Sequence, residues 1–131
     1  MSTYLDESGE YSIFVQSRVS PNVSWSKMIR LVHLAFGLST EVGEFIDPIK
    51  KMLTKGEDPN HLNFDNMDEE IGDLLFYIQE YANLRGKSIL QFAAENQRKL
   101  EQRYPQGFTA EASDNRDYEK EQEAVKRGQA T

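Results

Sequence analysis

Two four-residue stretches of the chain repeat the order acid, β-branched residue, glycine, acid. The acids are Glu41 and Glu44 in the first stretch and Glu70 and Asp73 in the second. Residues three apart lie on one surface of a helix, so like charges would stand side by side and repel by a few tenths of a kcal/mol. Each helical glycine costs about 1 kcal/mol more relative to alanine. A divalent cation held between two facing helices would offset these costs, and the repeat therefore predicts a metal site.

The chemistry of such a site follows from its ligands. Carboxylates are hard oxygen donors, which suit Mg²⁺ or Mn²⁺ better than softer metals. Mg²⁺ usually keeps several waters and takes phosphate oxygens from a substrate, so the pattern predicts a site for a di- or triphosphate. A carboxylate near the metal would act as general base for the attack of water on phosphorus. The alternative is that both acidic pairs are solvated helix surfaces.

Two helices must position these acids, because the surrounding apolar residues recur at spacings of three and four. The second helix is predicted from about residue 27 to 53 and the third from about 66 to 85, with Asn66 and Glu69 as a capping box. In both helices the acids flank an apolar stripe that should face the core. Members of this stripe include Met28, Leu34, Val42, Ile46, Leu53, Met67 and Ile71.

Two further helices complete the predicted fold. The first should cover residues 8–18, with Ser8 as its N-cap and Pro21 ending it. The fourth should cover residues 89–102, opened by a capping box of Ser88 and Gln91. Together they predict an all-α protein of the four-helix bundle type.

The length of 131 residues suits one domain. We expect residues 1–108 to form that single helical domain. Residues after 108 are polar and charged and contain few aliphatic side chains, so residues 109–131 are predicted to be a tail or an arm laid on a neighbour.

A polar line on the fourth helix offers partners for phosphate. Asn96, Lys99 and Arg103 fall at i, i+3 and i+7, where Arg103 could fork onto two oxygens and Lys99 could act as a point charge. Alternatively, these cations only complement the helix dipole near its C-terminal end. Trp25, just before the second helix, is either a packing residue or a platform for stacking a base.

The composition excludes several function classes. With 22 acids against 15 bases the net charge is −7, which argues against a bulk nucleic-acid partner or an anionic membrane surface. The absence of cysteine excludes disulfides and thiolate metal sites. No leader pattern opens the chain, and its apolar run near Leu31 is too short to span a bilayer, so we expect a cytoplasmic protein.

The paired motif resembles that of the MazG-like, all-α nucleoside triphosphate pyrophosphohydrolases, including the small single-domain, phage-type members. The resemblance rests on EVGE at 41–44 and EIGDLLFY at 70–77. The fourth-helix run from Asn96 to Phe108 is similar as well. Together these motifs extend the resemblance over roughly residues 27–116.

The resemblance implies a helical bundle completed as a homodimer or a dimer of dimers. It further implies hydrolysis of a nucleoside triphosphate, often a deoxynucleotide, to the monophosphate and pyrophosphate. Mg²⁺ would be held by both acidic pairs, and one carboxylate of the first pair, either Glu41 or Glu44, would activate the water. Thr40 stands where many members carry another acid, which leaves the number of metal ions open. Nucleotide contacts are implied for Asn96, Lys99 and Arg103, with Trp25 as a candidate for the base pocket.

Two other functions are compatible with the sequence. One is a catalytically silent relative that binds nucleotides as a sensor or partner protein. The other is a helical interaction module whose acidic pairs lie on the surface. Pyrophosphate release from a panel of triphosphates would distinguish the enzyme from both.

Overall fold

The computed structural model describes residues 9–19 and 26–128, and their regular secondary structure is helical. The described residues form α1 (Glu10–Arg18), α2 (Lys27–Lys55), a 3₁₀ turn (Pro59–His61), α3 (Phe64–Arg85), α4 (Ile89–Arg103), α5 (Ala110–Asp114) and α6 (Tyr118–Lys126). No β-strand forms within these two ranges. The predicted all-α class is confirmed.

Local capping explains why α2 and α4 begin where the sequence predicts. The Ser26 hydroxyl oxygen accepts a hydrogen bond from the backbone N–H of Ile29 at 3.4 Å, which caps α2. Ser88 and Gln91 form the predicted capping box of α4, with their two reciprocal hydrogen bonds at 3.2 and 2.8 Å. Both helix starts are therefore encoded within four consecutive residues.

The start of α3 differs from the prediction. The helix begins at Phe64, because Asn63 rather than Asn66 is its N-cap. The side-chain oxygen of Asn63 accepts a hydrogen bond from the backbone N–H of Asn66 at 3.1 Å. At the other end Gly86 adopts a left-handed conformation, with φ +62°, and the helix ends at Arg85, as predicted.

The first predicted helix is present as α1, with a different start. It is preceded by Gly9 in a left-handed conformation, and no side chain caps it. The predicted cap Ser8, together with Pro21 and Trp25, lies outside the described residues.

Polar contacts hold α3 against α1 and α2. Arg30 of α2 pairs with Glu80 of α3 at 3.5 Å, and Glu80 is only 2% exposed. The hydroxyl of Ser12 on α1 donates a hydrogen bond to the side-chain oxygen of Asn83 at 2.6 Å, and Gln79 donates to the same oxygen at 2.8 Å. These contacts fix α3 between its two neighbours.

The backbone of α2 packs closely against an aromatic ring of α3. Gly37 of α2 is buried against Tyr77 of α3, and a β-carbon added to Gly37 would overlap the Tyr77 ring. The same ring lies edge-on to His33 and Phe76, with centroids 5.9 and 5.5 Å away. Gly37 is thus a glycine whose missing side chain the packing requires.

The chain divides between Lys87 and Ser88 into two compact units. In the second unit α6 packs against α4, and Glu121 and Ala124 of α6 are buried. The segment predicted as a tail or an arm therefore contains two helices, because its charged residues find partners that composition does not reveal. The predicted domain of residues 1–108 stays a prediction.

The apolar stripe predicted to face the core is only partly buried. Leu34 and Met67 are buried, whereas Met28 and Leu53 are 67% and 72% exposed. Val42, Ile46 and Ile71, next to the acidic pairs, are also exposed. The reason is that α2 is covered along part of its length within a single chain. None of the described helices combines the length and apolarity needed to cross a membrane.

Candidate metal and nucleotide site

Three of the predicted acids converge where α2 meets α3. Each of Glu41, Glu44 and Glu70 offers a carboxylate oxygen, and these three oxygens lie within 4.8 Å of one another. Glu44 is exposed, Glu41 is half-buried and Glu70 is 9% exposed. The acidic cluster, as we call these three residues, thus spans the predicted boundary between solvent and core.

The electrostatics of the acidic cluster fit a divalent cation. Burial raises the pKa of Glu70, and the negative charges of Glu44, Glu41 and Asp73 raise it further. Within residues 9–19 and 26–128 no lysine, arginine or histidine forms a salt bridge with the three carboxylates. Hard oxygen donors that converge without a cationic side chain are suited to Mg²⁺ or a similar ion.

Asp73, the fourth predicted ligand, lies beside this group and is exposed. It is not among the three carboxylates that converge. Its charge nevertheless raises the pKa values of Glu70, Tyr77 and Tyr11, although burial has the larger effect on each. Asp73 therefore contributes to the same negative field, and its role as a ligand stays a prediction.

Tyr77 belongs to this site although the sequence reasoning assigned it no role. Burial raises the pKa of its hydroxyl, and the charges of Glu41, Asp73 and Glu80 raise it further. The hydroxyl therefore stays protonated near neutral pH and can donate a hydrogen bond. Its position seven residues after Glu70 places it on the same helix face, which is the sequence signal that could have identified it.

A cavity of about 650 Å³ opens beside the acidic cluster, and we call it the α2–α3 cavity. Glu44 and Glu70 form part of its wall. The other lining residues are Gly43, Asp47, Pro48, Lys51, Asn63 and Asn66. Asp47 and Lys51 follow Glu44 by three and seven residues, a helical spacing from which their common face could have been predicted.

The glycines of the two acidic motifs have open surroundings. A β-carbon added to Gly43 or Gly72 would meet no atom within 4 Å in the described part of the chain. Close packing among the described residues therefore does not account for them. Such packing does require a glycine at Gly37, one helical turn before Glu41.

The predicted phosphate contacts lie in the second unit. Asn96 is exposed and Lys99 is half-buried on α4. Arg103 donates two hydrogen bonds to Glu121 of α6, at 2.8 and 2.7 Å, and Arg116 donates to the same carboxylate at 2.9 Å. Arg103 thus has a bidentate carboxylate partner, which the sequence reasoning missed because Glu121 lies in the predicted tail. Trp25 falls outside the described residues.

The ion pairs of Glu121 with Arg103 and Arg116 shift the pKa values of these side chains. Hydrogen bonds from Arg103 and Arg116 lower the pKa of Glu121 to about 2, while Glu121 raises the pKa of Arg103. Glu121 is only 4% exposed. At neutral pH it is a buried carboxylate held by two guanidinium groups, a strong form of hydrogen bonding.

Comparison with known proteins agrees with the motifs. The family model described as the MazG nucleotide pyrophosphohydrolase domain matches residues 32–108, more than half of the chain. The Gene 37 protein of Mycobacterium phage L5 is 29% identical over 87 residues, which cover 66% of this chain and 76% of that protein. No solved structure gives a significant match. The matched residues include the acidic cluster and α4, and the chain belongs to the MazG nucleotide pyrophosphohydrolase family.

Proposed function

We propose that this protein hydrolyses a nucleoside triphosphate, preferably a deoxynucleotide, to the monophosphate and pyrophosphate in a Mg²⁺-dependent reaction. The observation that carries the proposal is the convergence of Glu41, Glu44 and Glu70 from two helices, since all three residues lie within the family match. These acids and Asp73 would hold the cation, with Mn²⁺ as a substitute. When bound, the cation would neutralise phosphate charge and polarise phosphate oxygens.

The chain's own residues would supply the remaining chemistry. Either Glu41 or Glu44 would accept a proton from the attacking water, whose oxygen forms a bond to the α-phosphorus. The bond from that phosphorus to the bridging oxygen would break, and its electron pair would leave with the β-phosphate. Tyr77, protonated beside Glu41, would donate a hydrogen bond that orients one of these carboxylates.

We propose that Asn96, Lys99 and Arg103 contact the nucleotide and its phosphates, with Trp25 in the base pocket. Arg103 can do so through the donors left free by Glu121, or by exchanging this carboxylate for phosphate oxygens.

We also propose a homodimer or a dimer of dimers in the cytoplasm. The support is the exposure of Val42, Ile46 and Ile71 next to the acidic cluster, since a second copy would cover such apolar side chains. Size-exclusion chromatography with light scattering would test this assembly, and a monomer at micromolar concentration would contradict it.

The proposed reaction is tested by pyrophosphate release from a panel of ribo- and deoxyribonucleoside triphosphates with Mg²⁺. Glu41→Gln and Glu70→Gln should each lower kcat/KM by about 100-fold or more, because a bound metal supplies several kcal/mol of transition-state stabilisation. Glu69→Gln is the matched control, since Glu69 is exposed, adjacent to Glu70 and outside the acidic cluster. Unchanged turnover in both cluster variants would refute the site.

A second measurement distinguishes the enzyme from a nucleotide-binding protein without activity. Mg²⁺ with a triphosphate should raise the melting temperature of the wild type, because the ligand binds only the native state. A shift without pyrophosphate release would favour the silent nucleotide binder. The absence of both would favour a helical interaction module.

A further inference from the structure

The α2–α3 cavity has walls suited to a charged ligand rather than to a base. Pockets that hold bases or other flat organic groups are lined mainly by apolar and aromatic side chains. The described residues around this cavity include no aromatic side chain, and Pro48 is the apolar side chain among them. The remaining side chains are carboxylates, amides and one ammonium group.

The position of the cavity narrows the choice of ligand. Glu44 and Glu70 belong to both the acidic cluster and the cavity wall, so the cavity begins where a cation would be held. A phosphate chain bound to that cation must occupy space directly next to it. The volume of about 650 Å³ lies within the range of about 300–1,000 Å³ typical of small-molecule sites, which leaves room for a diphosphate group.

Lys51 supplies positive charge to the wall of the α2–α3 cavity. It is the cationic residue among the described residues that line the cavity. Its ammonium group is paired with Asp47, one turn earlier on α2, and its side chain is 64% exposed. An ammonium group on a flexible stem, paired with a partly exposed carboxylate, can exchange this partner for phosphate oxygens at little cost.

We propose that the α2–α3 cavity receives the β,γ-diphosphate portion of the substrate, the part that leaves as pyrophosphate, and that Lys51 is its cationic contact. Asn63 and Asn66, which line the cavity at the start of α3, would offer amide N–H groups to the same phosphates. Asp47 holds Lys51 at the cavity wall when no phosphate is bound. This inference rests on the proposed hydrolysis of a triphosphate.

The test is calorimetric titration of inorganic pyrophosphate, in the presence of Mg²⁺, into the wild type, Lys51→Met and Lys50→Met. Lys50 is the matched control, because it precedes Lys51, is exposed and does not line the cavity. Loss of one charge-assisted contact should weaken pyrophosphate binding about 10-fold in Lys51→Met and less than about 2-fold in Lys50→Met. Lys51→Arg keeps the charge and should retain most of the affinity.

A second ligand identifies which part of the substrate the cavity holds. Titration of a nucleoside monophosphate should give the same affinity for the wild type and Lys51→Met, because this ligand lacks the β and γ phosphates. If Lys51→Met weakens the monophosphate as much as pyrophosphate, the cavity holds the nucleoside end and the inference is wrong. Equal pyrophosphate affinities for Lys51→Met and Lys50→Met would also overturn it.

The binding measurement separates this inference from the proposed function. Lys51-dependent pyrophosphate binding without triphosphate hydrolysis would support the subsite and refute the enzyme. Hydrolysis with pyrophosphate binding that does not depend on Lys51 would support the enzyme and refute the subsite. Circular dichroism melts of Lys51→Met and Lys51→Arg control for folding, and Lys51→Gln, which also removes the charge, replaces Lys51→Met in the titrations if Lys51→Met unfolds.

Discussion

Of three helical glycines in the first unit, one is tightly packed and two are not, and alanine at the packed position should therefore give a less stable protein than alanine at either of the others. Gly43 and Gly72 face open space, whereas a β-carbon at Gly37 would overlap the Tyr77 ring. Alanine at any helical position gains up to about 1 kcal/mol of helix propensity. Gly72→Ala should therefore raise the free energy of unfolding by about 0.5–1 kcal/mol, and Gly43→Ala should do the same.

The magnitude at Gly37 follows from the overlap with Tyr77. Forcing an extra carbon into a packed contact costs about 1–3 kcal/mol, because the ring or the helix must shift. The propensity gain is common to all three variants and cancels when they are compared. Gly37→Ala should thus be about 1–3 kcal/mol less stable than Gly72→Ala.

Urea unfolding of the metal-free protein, followed by circular dichroism, measures these differences. The midpoints should separate while the dependence on urea stays constant, which shows that the variants differ in stability and not in the surface that unfolding exposes. In a thermal melt, a difference of 1 kcal/mol corresponds to about 4 °C for a domain of this size. The reasoning is refuted if Gly37→Ala is as stable as Gly72→Ala, or if Gly72→Ala loses stability.

Two further predictions concern buried carboxylates. Glu70→Gln should raise the melting temperature of the metal-free protein, because it removes a negative charge that is buried beside Glu41 and Glu44. The same substitution should abolish the increase in melting temperature that Mg²⁺ causes. Glu69→Gln, measured in the same scans, should change neither the melting temperature nor its response to Mg²⁺. Glu121→Gln should lower the melting temperature at neutral pH, because it leaves two guanidinium groups without their carboxylate. The low pKa of Glu121 stabilises the native state fully above its ordinary pKa of 4.5, and this stabilisation is lost as the pH falls towards about 2, so the deficit of Glu121→Gln should shrink over that range. Glu123→Gln, at an exposed position of α6, should show no such pH-dependent deficit, and a deficit of Glu121→Gln that stays constant with pH would contradict the assignment.

The features predicted well from the sequence are those encoded over a few residues. The capping box of Ser88 and Gln91 is an example, because the residue types themselves determine the hydrogen bonds. The convergence of Glu41, Glu44 and Glu70 was also predictable, since two amphipathic helices with equivalent acidic edges must pack on their apolar faces.

The features missed depend on contacts between distant parts of the chain. Glu121 pairs with Arg103 across 18 residues, and its local sequence resembles a solvated tail. In the sequence Gly37 is an ordinary helix residue, and only the fold shows that Tyr77 packs against it. The start of α3 was missed for another reason: Asn63 and Asn66 are both good caps, and the surrounding loop decides between them.

The contact between Gly37 and Tyr77 also sets the spacing of the two helices that carry the proposed metal ligands. Gly37 lies four residues before Glu41, and Tyr77 lies four residues after Asp73, so the thickness of an aromatic ring acts as a spacer between the acid-bearing helices. Mg²⁺ requires oxygen ligands at about 2.0–2.1 Å and Ca²⁺ at about 2.3–2.6 Å. If the acidic cluster holds the proposed cation, the spacing set by Gly37 and Tyr77, which are not among its proposed ligands, would contribute to the discrimination between ions of different radius.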